Sequence, residues 1–354
     1  MHYIMNKDTP VIEIETGRIL DKYKIPLALQ IDNINYTKIY KWLVHRALPL
    51  SRKNADKIYM TLGLSRDNQE FELMCITHAL SINDNYWVAN ENELGKVRYE
   101  SMNLFTNSLN KSLYLVALRG DNNFTLTNKN ISAEYTGQGT YPKCFVRESD
   151  GIYLYKHGPI NEITNEIYAG FIAQLVGFKS VTYEYKKLDN IDCTKSKILT
   201  GLDENWENAF ILSEYTYTNY GKIPQEFAID RYKLEYANMI IFDALVLNDD
   251  RHMKNWAFSI NANTNMINGI SYSYDYNKAF QANSKSYSNL IFDGSRKLNL
   301  LSAARKAYNE IGTSLNLEYL YNVIDNIDIK LNKNALKNRI LYIVGKKSNQ
   351  NDCY

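Results

Sequence analysis

A carboxylate, an amide five residues later and a second carboxylate 25 residues after the first constrain this chain more than anything else in it: Asp250, Asn255 and Asp275. The first two stand in Asp-Ala-Leu-Val-Leu-Asn-Asp-Asp-Arg-His-Met-Lys-Asn, Asp243 to Asn255, where an apolar helical run gives way at once to a polar cluster. The third stands in Ser-Tyr-Asp-Tyr-Asn, Ser273 to Asn277. A phosphoryl-transfer site of the kinase type needs one carboxylate to orient the attacking hydroxyl, and an amide and a second carboxylate to hold magnesium. Asp249 adjoins Asp250, but only Asp250 has an asparagine at plus five. Asp249, Asp250 and His252 also admit a dimetal hydrolase reading, which lacks a nearby His/Asp pair to complete the ligand set.

The second informative region lies upstream. Thr136-Gly137-Gln138-Gly139-Thr140 sits between strand-like segments, where glycines would let backbone N–H groups approach phosphate oxygens. Lys143 to Arg147 and Ile152 to Lys156 read as two strands around an Asp150-Gly151 hairpin turn. Ile152, Leu154 and Lys156 share one face of the return strand, so the lysine ends an apolar face where an amine can reach a phosphate. A helix is expected from about residue 161 to 176, stopped by Gly177, with Glu166 ten residues after Lys156 and with Gly170 and Ala173 on the face of Glu166. Residues 208–215 read as an apolar strand whose polar end, Ser213, Glu214 and Tyr215, matches the hinge that pairs with adenine. Each of these pieces has an ordinary structural reading; their order ahead of the Asp/Asn/Asp set raises them together.

Elsewhere the pattern is coarser. A short strand is expected at Val11 to Ile14, and helices at about 36–46, at about 54–62 and from Asp67 to Ala79. Two short helices with Arg46, Arg52, Lys53 and Lys57 nearby superficially suggest a helix-turn-helix; a small helical prefix with a solvated basic face accounts for them as well. Leu113 to Leu118 reads as a strand within a polar boundary at 110–130. A long helix from Pro224 carries Leu234, Ala237, Ile241, Ala244 and Leu245 as its buried stripe, and 300–346 reads as helices before a frayed tail. The net charge of +2 makes no electrostatic case for binding nucleic acid directly or a membrane surface. Four scattered cysteines form no metal or redox pair and fit a reducing cytoplasm. The longest apolar stretch, Met239 to Leu247, is too short to span a bilayer, so a soluble cytoplasmic protein is expected.

Asp250-Arg251-His252-Met253-Lys254-Asn255 resembles the Asp-x-His-x-x-Asn loop of HipA-like serine/threonine kinases, and Tyr274-Asp275 resembles their magnesium-binding segment. Lys156 in Tyr-Leu-Tyr-Lys, Glu166 in Asn-Glu-Ile-Tyr and the stretch from Thr136 to Phe145 are similar to that family's ATP-site lysine, helix glutamate and phosphate loop. The resemblance covers roughly residues 110–345. It implies an α+β, bilobal kinase-like fold: a small antiparallel-sheet upper lobe at 111–215 and a mostly helical lower lobe at 216–354, preceded by a mainly helical accessory domain at 1–110. It implies a serine/threonine protein kinase using ATP and Mg2+. Asp250 would orient the acceptor hydroxyl, and Asn255 and Asp275 would hold the metal. Lys156 would contact phosphates and pair with Glu166, while Arg251 and His252 support the loop. It also implies a protein substrate, an antitoxin or regulatory partner, and autophosphorylation at Thr136 or Thr140 that would expel the loop by adding about −1.5 to −2 charges. A lipid or small-molecule kinase, or a kinase-fold regulatory protein with little turnover, are the alternatives.

Overall fold

The computed structural model describes residues 1–64, 69–121, 132–135, 139–290, 297–346 and 350–354. The chain divides into two compact units: Met1–Gly158 with Lys186–Glu207 and Ile260–Ile267, and Pro159–Tyr185 with Asn208–Ser259 and Asn268–Tyr354.

The first unit begins with strands β1 (His2–Asn6), β2 (Thr9–Glu13) and β3 (Arg18–Ile19). Helices α1 (Tyr36–Val44), α2 (Ala55–Thr61) and α3 (Gln69–Ile76) follow, then β4 (Tyr86–Asn90). The strands form an antiparallel sheet in the order β3-β2-β1-β4, with Ile4 opposite both Ile12 and Val88. A region expected to be mainly helical therefore also carries a four-stranded sheet. Helix α4 (Lys111–Arg119) occupies the stretch expected as a strand. Its buried residues Leu113, Val116 and Ala117 recur at helical spacing, and Gly120 stops it in the left-handed region, φ 81°.

Strands β5 (Lys143–Glu148) and β6 (Gly151–His157) form the expected hairpin, with Lys143 opposite Lys156 and Glu148 opposite Gly151. They join β7 (Glu184–Leu188) and β8 (Ile191–Lys197) in the order β5-β6-β8-β7. One hydrophobic cluster takes Met5, Leu80, Trp87, Tyr99 and Leu104 from the first 110 residues together with Phe145 and Ile152 of the hairpin. Buried Arg52 donates to the carbonyls of Glu134 and Lys143, the buried Glu134 carboxylate accepts the Phe145 amide at 2.8 Å, and the Lys53 amide donates to Thr140 O at 2.9 Å. The boundary expected near residue 110 thus does not coincide with the division into units.

A third sheet has the order β11-β10-β9, from β9 (Glu204–Asn208), β10 (Ala257–Asn261) and β11 (Ile267–Ile270). In the second unit α5 (Ile160–Val176) ends at Gly177, φ 70°, as expected. Then come α6 (Ser213–Tyr220), α7 (Pro224–Arg231) and α8 (Lys233–Leu245). The single long helix expected from Pro224 is two helices, because Tyr232 leaves helical geometry at φ −131°, ψ 44°. Leu234, placed on the buried stripe, is 45% exposed, whereas every residue from Tyr236 to Leu245 is buried. Helices α9 (Leu300–Glu310), α10 (Leu317–Val323) and α11 (Lys333–Ile343) complete the unit, with α9 and α11 packed on α8 and α10 on α5. The tail expected to fray instead ends in a 3-10 turn against α11, with Cys353 fully buried. No helix among the described residues is long and apolar enough to cross a membrane.

Candidate active site

Helix α8 delivers the chain to the loop through Leu247, a non-glycine residue at φ 50°, after which Asn248 closes the helix by donating its amide to Asp243 O at 2.8 Å. Asp243 itself lies inside the buried run of α8. Its carboxylate accepts from Arg251 Nε at 3.0 and 3.3 Å, from Arg251 Nη2 at 3.1 Å and from Asn248 Nδ2 at 3.0 Å. Both side chains are almost fully buried, at 1% and 3% exposure, so each charge depends on the other. Burial alone would lower the proton affinity of Arg251; Asp243 and Tyr276 outweigh it, and the guanidinium stays charged.

The guanidinium does more than neutralise Asp243. Its Nη1 donates to Asn255 O at 2.6 Å and to Tyr274 O at 2.5 Å, and its plane lies over the Tyr276 ring, 4.7 Å from the centroid. One nitrogen thereby fixes the backbone of both segments that carry the candidate metal ligands. Within the loop, Asn255 Nδ2 donates to Asp250 O at 2.9 Å, which turns the amide oxygen to the other side of the group. Exposed His252 accepts the Lys254 amide on Nδ1 at 3.2 Å while its own amide donates to Asp250 O at 2.8 Å. The Met253 carbonyl accepts the Phe210 amide at 3.1 Å, and Lys254 Nζ lies 4.8 Å from the centroid of the Phe210 ring.

Asp250 is half-buried. Desolvation pushes its carboxyl above the ordinary carboxylate range; His252 opposes that, while Asp275 and Asp249 add to it as neighbouring negative charges. Asp275 adopts φ 63°, a left-handed conformation that costs a non-glycine residue energy and is tolerated best by Asp and Asn. Its amide donates to the hydroxyl of Tyr183 at 2.9 Å. Among the described residues no group of three or more His, Cys, Asp or Glu could hold a metal. A magnesium ion shared with phosphates needs only one or two carboxylates and keeps water for the rest, so the hard oxygens of Asp275 and Asn255 fit it.

The other expected site residues are distributed as follows. Glu166 is buried on α5, in the second unit with Asp250, Arg251, His252, Asn255 and Asp275. Lys156, near the end of β6, and Gly139 and Thr140 belong to the first unit. Gly139 stands at φ 98°, so the backbone freedom expected of the glycine pair is used there, and Thr140 is exposed. Thr136, Gly137 and Gln138 lie outside the described residues. Ser213, Glu214 and Tyr215 are not at a strand end. The strand stops at Asn208, whose side-chain oxygen accepts the Ile211 amide at 3.0 Å and turns the chain, so the three residues open α6. Sequence reasoning also missed Asp243 and Tyr183; an acid inside a buried apolar run, eight residues before an arginine, was the available signal for the first.

No family model matches this sequence, and no curated protein matches it. Among solved structures, HipA of the Shewanella oneidensis MR-1 toxin–antitoxin system, solved with HipB and its operator DNA, matches with a TM-score of 0.60 at 12% identity over 98% of this chain and 98% of that one. The Helicobacter pylori proinflammatory kinase CtkA matches with a TM-score of 0.45 at 20% identity over 58% of this chain and 90% of that one. The fold is HipA-like.

Proposed function

We propose that this chain is an ATP- and Mg2+-dependent phosphotransferase that phosphorylates serine or threonine of a protein, and its own phosphate loop as well. The observation that carries this reading is the Arg251 bridge, which holds the loop bearing Asp250 and Asn255 and the segment bearing Asp275 on one guanidinium nitrogen. Asp250 accepts the hydrogen bond of the acceptor hydroxyl and takes its proton as the bond from that oxygen to the γ-phosphorus forms and the bond to the leaving ADP breaks. A carboxylate above its ordinary range is the better proton acceptor for this. Asn255 and Asp275 would hold magnesium, which supplies charge neutralisation on the phosphates. Lys156 and the loop from Thr136 to Thr140 are assigned to the nucleotide phosphates.

Shewanella HipA was solved with HipB and DNA; by analogy an antitoxin-like regulatory protein is proposed as a partner here, with no direct hold on nucleic acid by a chain of net charge +2. Incubation with γ-labelled ATP and Mg2+, alone and with cell lysate, tests the reading. Label should pass to protein in the wild type and fall by about 10²–10⁴-fold in Asp250→Ala. Equal labelling by wild type, Asp250→Ala and Asp275→Ala would exclude this site.

A further inference from the structure

Asp275 sits where its backbone does not rest by itself, and the residue that receives its amide comes from elsewhere in the chain. The segment before β7 runs beside the segment after β11. Ser180 bridges Ser273 in parallel, the Val181 amide donates to Ser273 O at 3.0 Å, and the Ser273 amide donates to Lys179 O at 2.9 Å. Tyr183 stands three residues beyond Ser180 and Asp275 two beyond Ser273, and there the hydroxyl of Tyr183 accepts the Asp275 amide at 2.9 Å. The ring of Tyr183 stands edge-on to Tyr276, with centroids 6.4 Å apart.

The ring reaches that place only because α5 lacks a side chain opposite it. A Cβ on Gly170 would fall 2.9 Å from Tyr183 Cδ2 and 3.6 Å from the Tyr183 amide nitrogen. Gly170 lies one turn beyond Glu166 on the same helix face, and Glu166 and Asp275 both act electrostatically on the Tyr183 phenol. The same helix holds the residues just after Asp275: Glu162 accepts from Asn277 Nδ2 at 2.8 Å and Lys278 Nζ at 2.5 Å, and Asn165 Nδ2 donates to Asn277 O at 3.0 Å.

We infer that Tyr183 is a positioning residue for the metal-binding carboxylate: its hydroxyl holds Asp275 in the left-handed conformation, and Gly170 sets the ring against α5 so that this helix and Asp275 move as one piece. The inference rests on the phosphotransferase reading. Tyr183→Phe removes the acceptor and keeps the ring. Gly170→Ala keeps the acceptor and displaces it, at a position whose backbone alanine can adopt.

The test titrates an ATP analogue into the full-length wild type, both variants and Asp275→Ala, with Mn2+ and with the metal chelated. Mn2+-dependent affinity should fall about threefold to tenfold in Tyr183→Phe and in Gly170→Ala, the worth of a net hydrogen bond, while affinity without metal stays at the wild-type value. Hydrogen exchange at the Asp275 amide should speed up in both variants with no nucleotide present. A wild-type Asp275 exchange rate in both variants overturns the positioning role, and so does equal weakening with and without metal. Metal-independent binding by the wild type itself overturns the phosphotransferase reading and the inference together. Loss in Asp275→Ala alone overturns only the inference.

Discussion

Arg251 and Asp243 are eight residues apart and form a buried pair through both Nε and Nη2, at 3.0 and 3.1 Å. Removing one partner leaves a charge in a site that water does not reach. Arg251→Met and Asp243→Leu should each cost about 3–5 kcal/mol of stability, read from urea denaturation midpoints at constant slope. The double variant, which removes both charges, should recover most of that cost without recovering activity. Single variants as stable as the wild type would show that the pair does not hold the loop.

The pH dependence of turnover should carry the mark of the neighbours of Asp250. A base works deprotonated, so kcat/KM should fall as pH drops through the Asp250 pKa, and burial places that limb above the ordinary carboxylate range. Asp249 raises this pKa and His252 lowers it. Asp249→Asn should therefore move the acid limb to lower pH and His252→Ala to higher pH. Displacements in the same direction would mean the limb belongs to another group.

A chain starting at Lys111 should not fold. Phe145 and Ile152 of the hairpin would lose Trp87, Tyr99 and Leu104 from their cluster, and the carbonyl of Lys143 would lose Arg52. In the intact chain, Trp87→Ala should cost about 3–5 kcal/mol and should raise hydrogen exchange in β5 and β6 together with β1 and β4. Protection retained in β5 and β6 would separate the first 110 residues from the hairpin.

Protein incubated with ATP and Mg2+ should gain phosphate on Thr140 or Thr136, found by mass spectrometry, and Asp250→Ala should not. Thr140 is exposed, next to Gly139 at φ 98°, and its carbonyl is held by the Lys53 amide, which leaves the side chain as the part that can change. A phosphate there would add about −1.5 to −2 charges to the loop proposed to hold the triphosphate, so modified protein should bind nucleotide more weakly. An unmodified loop in protein that labels its substrate would end this proposal.

The loop from Asp250 to Asn255 was legible because its signal is local: acid, amide and spacing belong to one short stretch. The hairpin and α5 were legible for the same reason, through Asp150-Gly151 and Gly177. Features set by tertiary packing were not. Leu113 to Leu118 is a short apolar run that periodicity alone does not assign, and its burial against neighbouring elements makes it helix. The end of β9 is decided by one side chain, Asn208, turning the chain ahead of an apolar stretch that read as strand. Cys353 lies in a polar tail with no pattern, and only the packing of that tail against α11 buries it. Tyr183 carries no motif; its meeting with Asp275 depends on the pairing of Ser180 with Ser273, 93 residues apart.

The hydrogen bonds from Arg251 Nη1 end on carbonyl oxygens, those of Asn255 and Tyr274, and not on the reacting side chains. Scaffold and chemistry are therefore separable in this loop. An Asp250→Asn protein keeps the Arg251 bonds that shape the segment and, on the proposed reading, loses the proton acceptor, so it is suited to use as a substrate trap. Cross-linked to lysate proteins in the presence of nucleotide, it offers a direct route to the acceptor through physical capture, with no dependence on turnover.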